Sequence, residues 1–305
     1  GLLPAKGSAI LFSLSPQRNM GENTMGSEDL YQTLSEKIGT PSERIEKLWK
    51  VLCDEEEARL LLAMPGIVEE LAEKTGRKPE ETKPMLDRLF RKGVAFDKEK
   101  GGIVTYSMAR HLLQFHDATI LWPEAPDVFL DQWQEFMEEE YPAIAQALVA
   151  MGLPAFTRVI PVDAPMEGGG SQILPFENAL KIVDDARSLA VTACTCRLTA
   201  RKCDHALETC VQVNNAALYA LKRGTGRKID KAEALDIFRK AEEEGLIHVT
   251  MNRHRVDHFI CNCCPCCCQT MPILIKGGLR VVDPSRYCAS VAQALCTGCG
   301  RCHER

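Results

Sequence analysis

Residues Ile260 to Gln269 read I-C-N-C-C-P-C-C-C-Q, so six of ten positions are cysteine: Cys261, Cys263, Cys264, Cys266, Cys267 and Cys268. No helix or strand packing calls for such a run. A buried cysteine acts as a small hydrophobe, a role that valine or alanine fills without the oxidation hazard. A second group lies upstream as Cys194-x-Cys196-Arg197, followed by Cys203 and Cys210. A third closes the chain as Cys296-x2-Cys299-x2-Cys302, and only Cys53 and Cys288 stand outside these groups. The pattern predicts thiolate chemistry and, with it, bound metal.

A disulfide framework fits poorly. Fifteen cysteines is an odd number, and 305 residues are enough to build a core without staples. Adjacent thiols such as Cys266, Cys267 and Cys268 are awkward to pair with separate partners. Zinc knuckles favour paired C-x2-4-C spacing. The upstream C-x-C and the central run depart from that spacing, while the terminal C-x2-C-x2-C follows bacterial iron–sulfur usage. The expectation is therefore 4Fe-4S clusters, two or more, in a reducing, anaerobic and cytoplasmic setting. The net charge of −5 gives no global pull toward nucleic acid or anionic lipid. No apolar run approaches the ~20 residues that cross a bilayer.

The predicted fold class is α+β. Residues 1–27 show no periodicity and read as an arm. Residues 28–118 read as a winged-helix-like domain. Leu30, Leu34 and Ile38 share a helix face, and Ile45, Leu48, Trp49 and Leu52 continue at helical spacing, with Cys53 expected in the core. A helix over Pro79–Lys92 ends at Gly93, and Val94–Phe96 with Ile103–Tyr106 form a hairpin around Asp97–Gly102. The candidate recognition helix opens with Glu80 and Glu81, whose carboxylates would face phosphates. DNA is thus a disfavoured partner and protein docking the expected use.

Residues 119–172 read as a helical linker region, with one amphipathic helix over Pro126–Met151 broken near Pro142. A strand is expected over Phe156–Val162, and a flexible loop over Glu167–Ser171. Residues 173–284 form the cysteine-rich α/β module: a helix Pro175–Ala186, a strand Leu189–Thr192, a helix Val211–Leu221, a helix from Asp230 to Gly245 and a strand Leu246–Met251. Cys194 and Cys196, at i and i+2 in extended chain, would point to one side. Cys203 and Cys210 could then complete a set of four. Arg197, Arg201 and Lys202 place positive charge beside these thiolates. Arg197 and His205 are candidate cluster contacts, His205 as a hydrogen-bond donor to sulfur or, alternatively, as a ligand.

The succession Cys194-x-Cys196-Arg197, Cys203-Asp204-His205, Glu208-Thr209-Cys210, Gly226-Arg227, Glu244-Gly245-Leu246-Ile247-His248 and Ile260-Cys261-Asn262-Cys263-Cys264-x-Cys266-Cys267-Cys268 resembles a family of 4Fe-4S-binding proteins of anaerobic microbes. The resemblance covers residues 173–302. It implies cluster binding and electron transfer without fixing a substrate. Residues 285–305 resemble the opening of a ferredoxin-type segment, in which Cys296, Cys299 and Cys302 occupy the first three positions of the run C-x2-C-x2-C-x3-C-P. The fourth would stand one place beyond Arg305, so the segment reads as truncated, unless Cys288 or an external ligand completes it.

The functional expectation is an iron–sulfur electron-transfer protein, working with redox partners as part of a larger complex and relaying single electrons. Two alternatives are a redox-sensing winged-helix regulator and a reductase with a nonstandard cluster at the central run. No acid/base or nucleophile constellation stands out, so no catalytic residue is assigned.

Overall fold

The computed structural model describes residues 27–160, 178–253, 258–285 and 290–300. The expected amino-terminal arm, the Glu167–Ser171 loop, Cys288 and Cys302 fall outside them, except for Ser27. The chain divides into two compact units. Of the described residues, one takes in 27–89 and Val94–Phe115, the other Phe90–Gly93 and those from His116 onward.

The first unit is built from α1 (Ser27–Lys37), α2 (Glu43–Leu52), α3 (Glu55–Ala63), α4 (Val68–Lys74) and most of α5 (Pro79–Lys92), followed by a hairpin of β1 (Ala95–Lys100) and β2 (Ile103–Met108). Side-chain caps start two of the helices. Ser42 accepts from the Arg44 amide, and Asp54 with Glu57 forms a reciprocal capping box, each cap worth ~1 kcal/mol. Leu34, Ile45, Leu48, Trp49, Leu52, Leu60, Leu61, Leu86 and Leu89 are fully buried, and Trp49 stacks on Phe115 at 4.2 Å. Cys53 lies in this core, its Sγ 3.4 Å from the Trp49 carbonyl. The hairpin is longer than expected. It pairs Ala95 with Met108 through Lys100 with Ile103, because Gly101 and Gly102 take up the whole turn at φ of 60° and 79°. Arg88, one of the basic groups on the candidate recognition helix, donates to the buried Glu57 carboxylate at 3.0 Å.

In the second unit, the helix expected over Pro126–Met151 is two, α7 (Asp127–Glu139) and α8 (Tyr141–Ala150). They follow α6 (Leu112–Ile120), which begins in the first unit. The break falls where Pro142 enters the first turn of α8, since proline has no amide to continue the preceding helix.

A seven-stranded sheet organises the rest. Its strands are β3 (Thr157–Val159), β4 (Leu189–Ala193), β5 (Glu208–Val213), β6 (Gly226–Lys228), β7 (Ile247–Met251), β8 (Phe259–Cys263) and β9 (Val282–Asp283), in the spatial order β6-β4-β5-β8-β7-β3-β9. Only the β3–β9 pair is parallel. One face carries Val191, Val211, Val213 and Ile260. It packs on Ala179, Ile182 and Val183 of α9 (Ala179–Asp185) and on Ala234 and Phe238 of α12 (Lys231–Glu243). The other face carries cysteines. Asp230 caps α12 by accepting from the Glu233 amide.

Two expectations are overturned here. Val211–Leu221 is not one helix. Residues 208–213 form β5, whose alternating Thr209, Val211 and Val213 are buried, and α11 (Asn215–Arg223) begins only after Asn214 turns the chain at φ 54°. Alternation in Cys210-Val211-Gln212-Val213 has period 2, and β-branched residues favour the pleated surface. Nor is the Cys194–Cys196 stretch extended: Cys194 is the N-cap of α10 (Thr195–Ala200), and Cys196 lies in its first turn. The strand ends at Ala193 after a register shift between Thr192 and Ala193.

Candidate metal centre

Strand β8 sorts the central run. In a strand, successive side chains alternate faces. Ile260 and Asn262 accordingly point into the buried layer, and Cys261 and Cys263 into the opposite one. On that opposite face Cys210 of β5 lies across from Cys261, with the two sulfurs 3.6 Å apart. Beyond Cys263 the chain leaves the sheet through the turn at Pro265, and from there the remaining cysteines diverge.

Two thiol groups result. The first is Cys203, Cys264, Cys266 and Cys267, whose four sulfurs all lie within 4.8 Å of one another and could hold a metal ion. Cys203 Sγ is 3.8 Å from that of Cys264 and 3.4 Å from that of Cys267. Cys264 and Cys267 are buried, Cys203 is half-buried and Cys266 exposed. The second group gathers Cys194, Cys196, Cys210, Cys261, Cys263 and Cys268 around one small cavity of about 30 Å³, whose wall also includes Thr195, Thr209, Asn262 and Cys264 of the first group. The sulfurs of Cys210 and Cys261 are within hydrogen-bond reach, and neighbouring thiols influence one another's protons along the order Cys194, Cys196, Cys268, Cys263, Cys261 and Cys210. The set of four expected from Cys194, Cys196, Cys203 and Cys210 does not form, because Cys203 is drawn to the 264–267 turn. Cys296 and Cys299 are exposed around a single 3-10 turn, Gln293–Leu295.

The protons in the six-thiol chain are shared unequally. Cys268 is held well below the ordinary thiol range because Cys196 and Cys263 donate to it. Thr270 and the Met271 amide add to this against the opposing effect of burial. Cys194 is lowered to about 7 by the bond from Cys196, helped by the Arg197 amide. Cys196 is pushed up because it donates to Cys194 and Cys268, and Cys261 because it is bonded to Cys210 and Cys263 and is buried. Cys263 rises despite its bond from Cys261, since it donates to Cys268 in a buried place. Negative charge thus gathers at Cys194 and Cys268, and a cation entering here would displace the remaining protons.

Arg197 sits between the groups. It is 2 % exposed, and Nη1 donates to the Ala206 carbonyl at 2.9 Å and to Thr209 Oγ1 at 2.7 Å, while Nη2 donates to the Asn262 carbonyl at 2.7 Å. Burial works against its charge, but the neighbouring Cys194, Cys264 and Cys203 thiols hold it protonated. Its Nε is buried with no hydrogen-bond partner among the described residues. Arg201 and Lys202 instead serve the contact with α7, pairing with Asp127, Asp131 and Glu138. The His205 ring meets Glu244 at 2.8 Å, while its backbone amide supports the Cys203 sulfur and, with the adjacent thiols, holds that thiol below its usual range against burial.

Several supporting groups carry no cysteine signal. Asn262 lies between two cysteines of the run but points to the other face. There its side chain bonds His248 Nδ1 at 2.6 Å and donates to the Thr209 carbonyl at 2.5 Å, joining β5, β7 and β8. Gln212 donates to Cys210 Sγ at 3.2 Å, and Thr270 Oγ1 lies 3.4 Å from Cys268 Sγ. Both stand two residues after their cysteine, the one clue in the sequence to their role. Tyr141 of α8 is also nearby: burial, followed by the charges of Cys268, Asp117 and Cys196, pushes its hydroxyl up to about 12. No family model, curated protein or solved structure matches the chain.

Proposed function

We propose that the protein is an iron–sulfur electron-transfer protein, in which the six-thiol chamber holds a 4Fe-4S-type cluster and the chain relays single electrons between redox partners. The observation that carries this reading is the convergence of Cys194, Cys196, Cys210, Cys261, Cys263 and Cys268 on one cavity, with one buried cation, Arg197, beside it. The donor set fits such a group. Its ligand atoms are all soft sulfur, the choice that selects iron–sulfur clusters and zinc over harder ions. A cluster bound here would supply a one-electron couple.

The chain's own residues set the conditions around that couple. Gln212 and Thr270 direct hydrogen bonds at Cys210 and Cys268, and the Met271 and Arg197 amides do the same at Cys268 and Cys194. Hydrogen bonds to ligating sulfur and a nearby positive charge favour the more negative, reduced state and raise the potential. Cys268 is buried and the other five cysteines of the chamber are half-buried.

Iron and acid-labile sulfide analysis of anaerobically purified protein tests the reading. The expected result is roughly equimolar iron and sulfide, with sulfide lost in a Cys261→Ser, Cys268→Ser variant. Metal without any sulfide in the unaltered protein would overturn it.

A further inference from the structure

The two thiol groups differ in spacing, and spacing distinguishes one ion from a cluster. A single tetrahedral ion with thiolate bonds of ~2.3 Å places its ligand sulfurs at the corners of a tetrahedron with edges of ~3.8 Å. In a four-iron cubane each thiolate caps a different iron and points away from the others, so the ligand sulfurs lie on a wider tetrahedron. All four sulfurs of Cys203, Cys264, Cys266 and Cys267 fall within 4.8 Å of one another, and two separations from Cys203 are 3.8 and 3.4 Å. The six-thiol group is strung out as a chain around a cavity and includes no such compact set among the described residues.

We propose that Cys203, Cys264, Cys266 and Cys267 bind one tetrahedral divalent ion of the zinc class as a closed tetrathiolate site that adjoins the cluster chamber, whose wall Cys264 also lines. Local backbone geometry supports this assignment. Although the run as a whole departs from knuckle spacing, Cys264 and Cys267 within it stand two residues apart as C-x2-C, a spacing that a single-ion site accepts. Pro265 turns the chain between them, and the Cys268 amide donates to the Cys264 carbonyl at 3.1 Å, which closes the turn. The positive charge of the buried Arg197 lies beside Cys203 and Cys264. Four thiolates around a divalent ion leave a double negative charge, which Arg197 offsets in part. Four protein ligands leave no open position, so the ion is a clip and not a catalyst. It fastens the loop after α10 to the turn after β8, across about 60 residues of chain.

The test uses the full chain, purified anaerobically, with zinc, iron and sulfide counted in the unaltered protein and in Cys203→Ser and Cys267→Ser. The expected result is a loss of one divalent ion per chain in each variant, with the sulfide content unchanged. Sulfide falling together with the metal would overturn the proposal, because the quartet would then hold a cluster. A second measurement guards against variants that do not fold. Cobalt(II) added to the reduced, metal-depleted unaltered chain should give the visible bands and sulfur charge-transfer absorption of a tetrahedral tetrathiolate. Pale octahedral cobalt, or a spectrum requiring fewer than four thiolates, would contradict it. The two proposals fail separately: absence of sulfide removes the cluster and leaves the single ion standing, whereas loss of sulfide from the quartet variants removes only the single ion.

Discussion

Arg197 Nη2 donates to the backbone carbonyl of Asn262 at 2.7 Å. This bond joins the helix that carries Cys194 and Cys196 to the strand that carries Cys261 and Cys263, at the residue between those two cysteines. One guanidinium therefore sets the separation of the two arms of the chamber.

Replacing Arg197 with glutamine leaves the Ala206 and Asn262 carbonyls and the Thr209 hydroxyl without a buried donor. The expected loss is at least ~3 kcal/mol, as for breaking a buried charged network from one side. Arg197→Lys recovers little of this, because an ammonium cannot span three acceptors as the planar fork does. Thermal unfolding of the anaerobic protein measures both variants, and a lysine variant as stable as the original would contradict the assignment.

His248 is buried beneath α12, and burial lowers its pKa, although its bond to Asn262 and the charge of Glu242 oppose the shift. Its folded pKa is thus below its unfolded value near ~6.5. The unfolded chain binds the proton more readily, so this stability contribution is complete above that value and is lost as pH falls below it. A His248→Gln variant should show a shallower loss of stability between about pH 7 and 5 than the original chain. Equal slopes in paired denaturation curves would rule the effect out.

In the metal-depleted, reduced protein, Cys194 titrates near 7 while Cys196, two residues away, stays protonated. The thiolate is the nucleophile, so Cys194 should be alkylated about tenfold faster than an ordinary cysteine at pH 7, and its rate should rise through that pH. Peptide mapping after brief iodoacetamide treatment separates the two positions. Preferential labelling of Cys196 would contradict the proposed sharing of protons.

Gly93 sits at φ 82°, and a Cβ there would collide with the Ala118 carbonyl and with Arg223 Nη2. Arg223 is itself buried and donates to the carbonyls of Phe90, Arg91 and Ala118, closing the end of α5. Gly93→Ala should destabilise by ~2 kcal/mol or more through both strain and displacement of that guanidinium. An unchanged unfolding midpoint would argue against this packing.

The cysteine run was legible as a metal signature because its density has no packing explanation, and β8 could have been read from the alternation Ile260, Cys261, Asn262, Cys263. The partition of the run was not legible. Pro265 ends the strand, and nothing local tells which way Cys264, Cys266 and Cys267 turn. Sequence order groups Cys203 with Cys194, Cys196 and Cys210, whereas its loop returns beside Cys264 and Cys267, and a sequence does not record where a loop returns. Cys194-x-Cys196 matched the spacing of a strand, yet Cys194 ends a strand and caps a helix within three residues. Helices α1, α2 and α5 and the hairpin followed from periodicity, caps and glycines, since there local preference and burial agree, whereas the short α3 and α4 were not separately legible.

The central claim is that the six-thiol chamber supports one-electron chemistry. Electron paramagnetic resonance during a potentiometric titration of the anaerobic protein tests it most directly. The account predicts a paramagnetic signal of a reduced iron–sulfur centre that grows with a one-electron dependence on potential and is lost in Cys261→Ser, Cys268→Ser. A protein that holds only zinc, remains silent at every potential, or keeps its signal in that variant would contradict it.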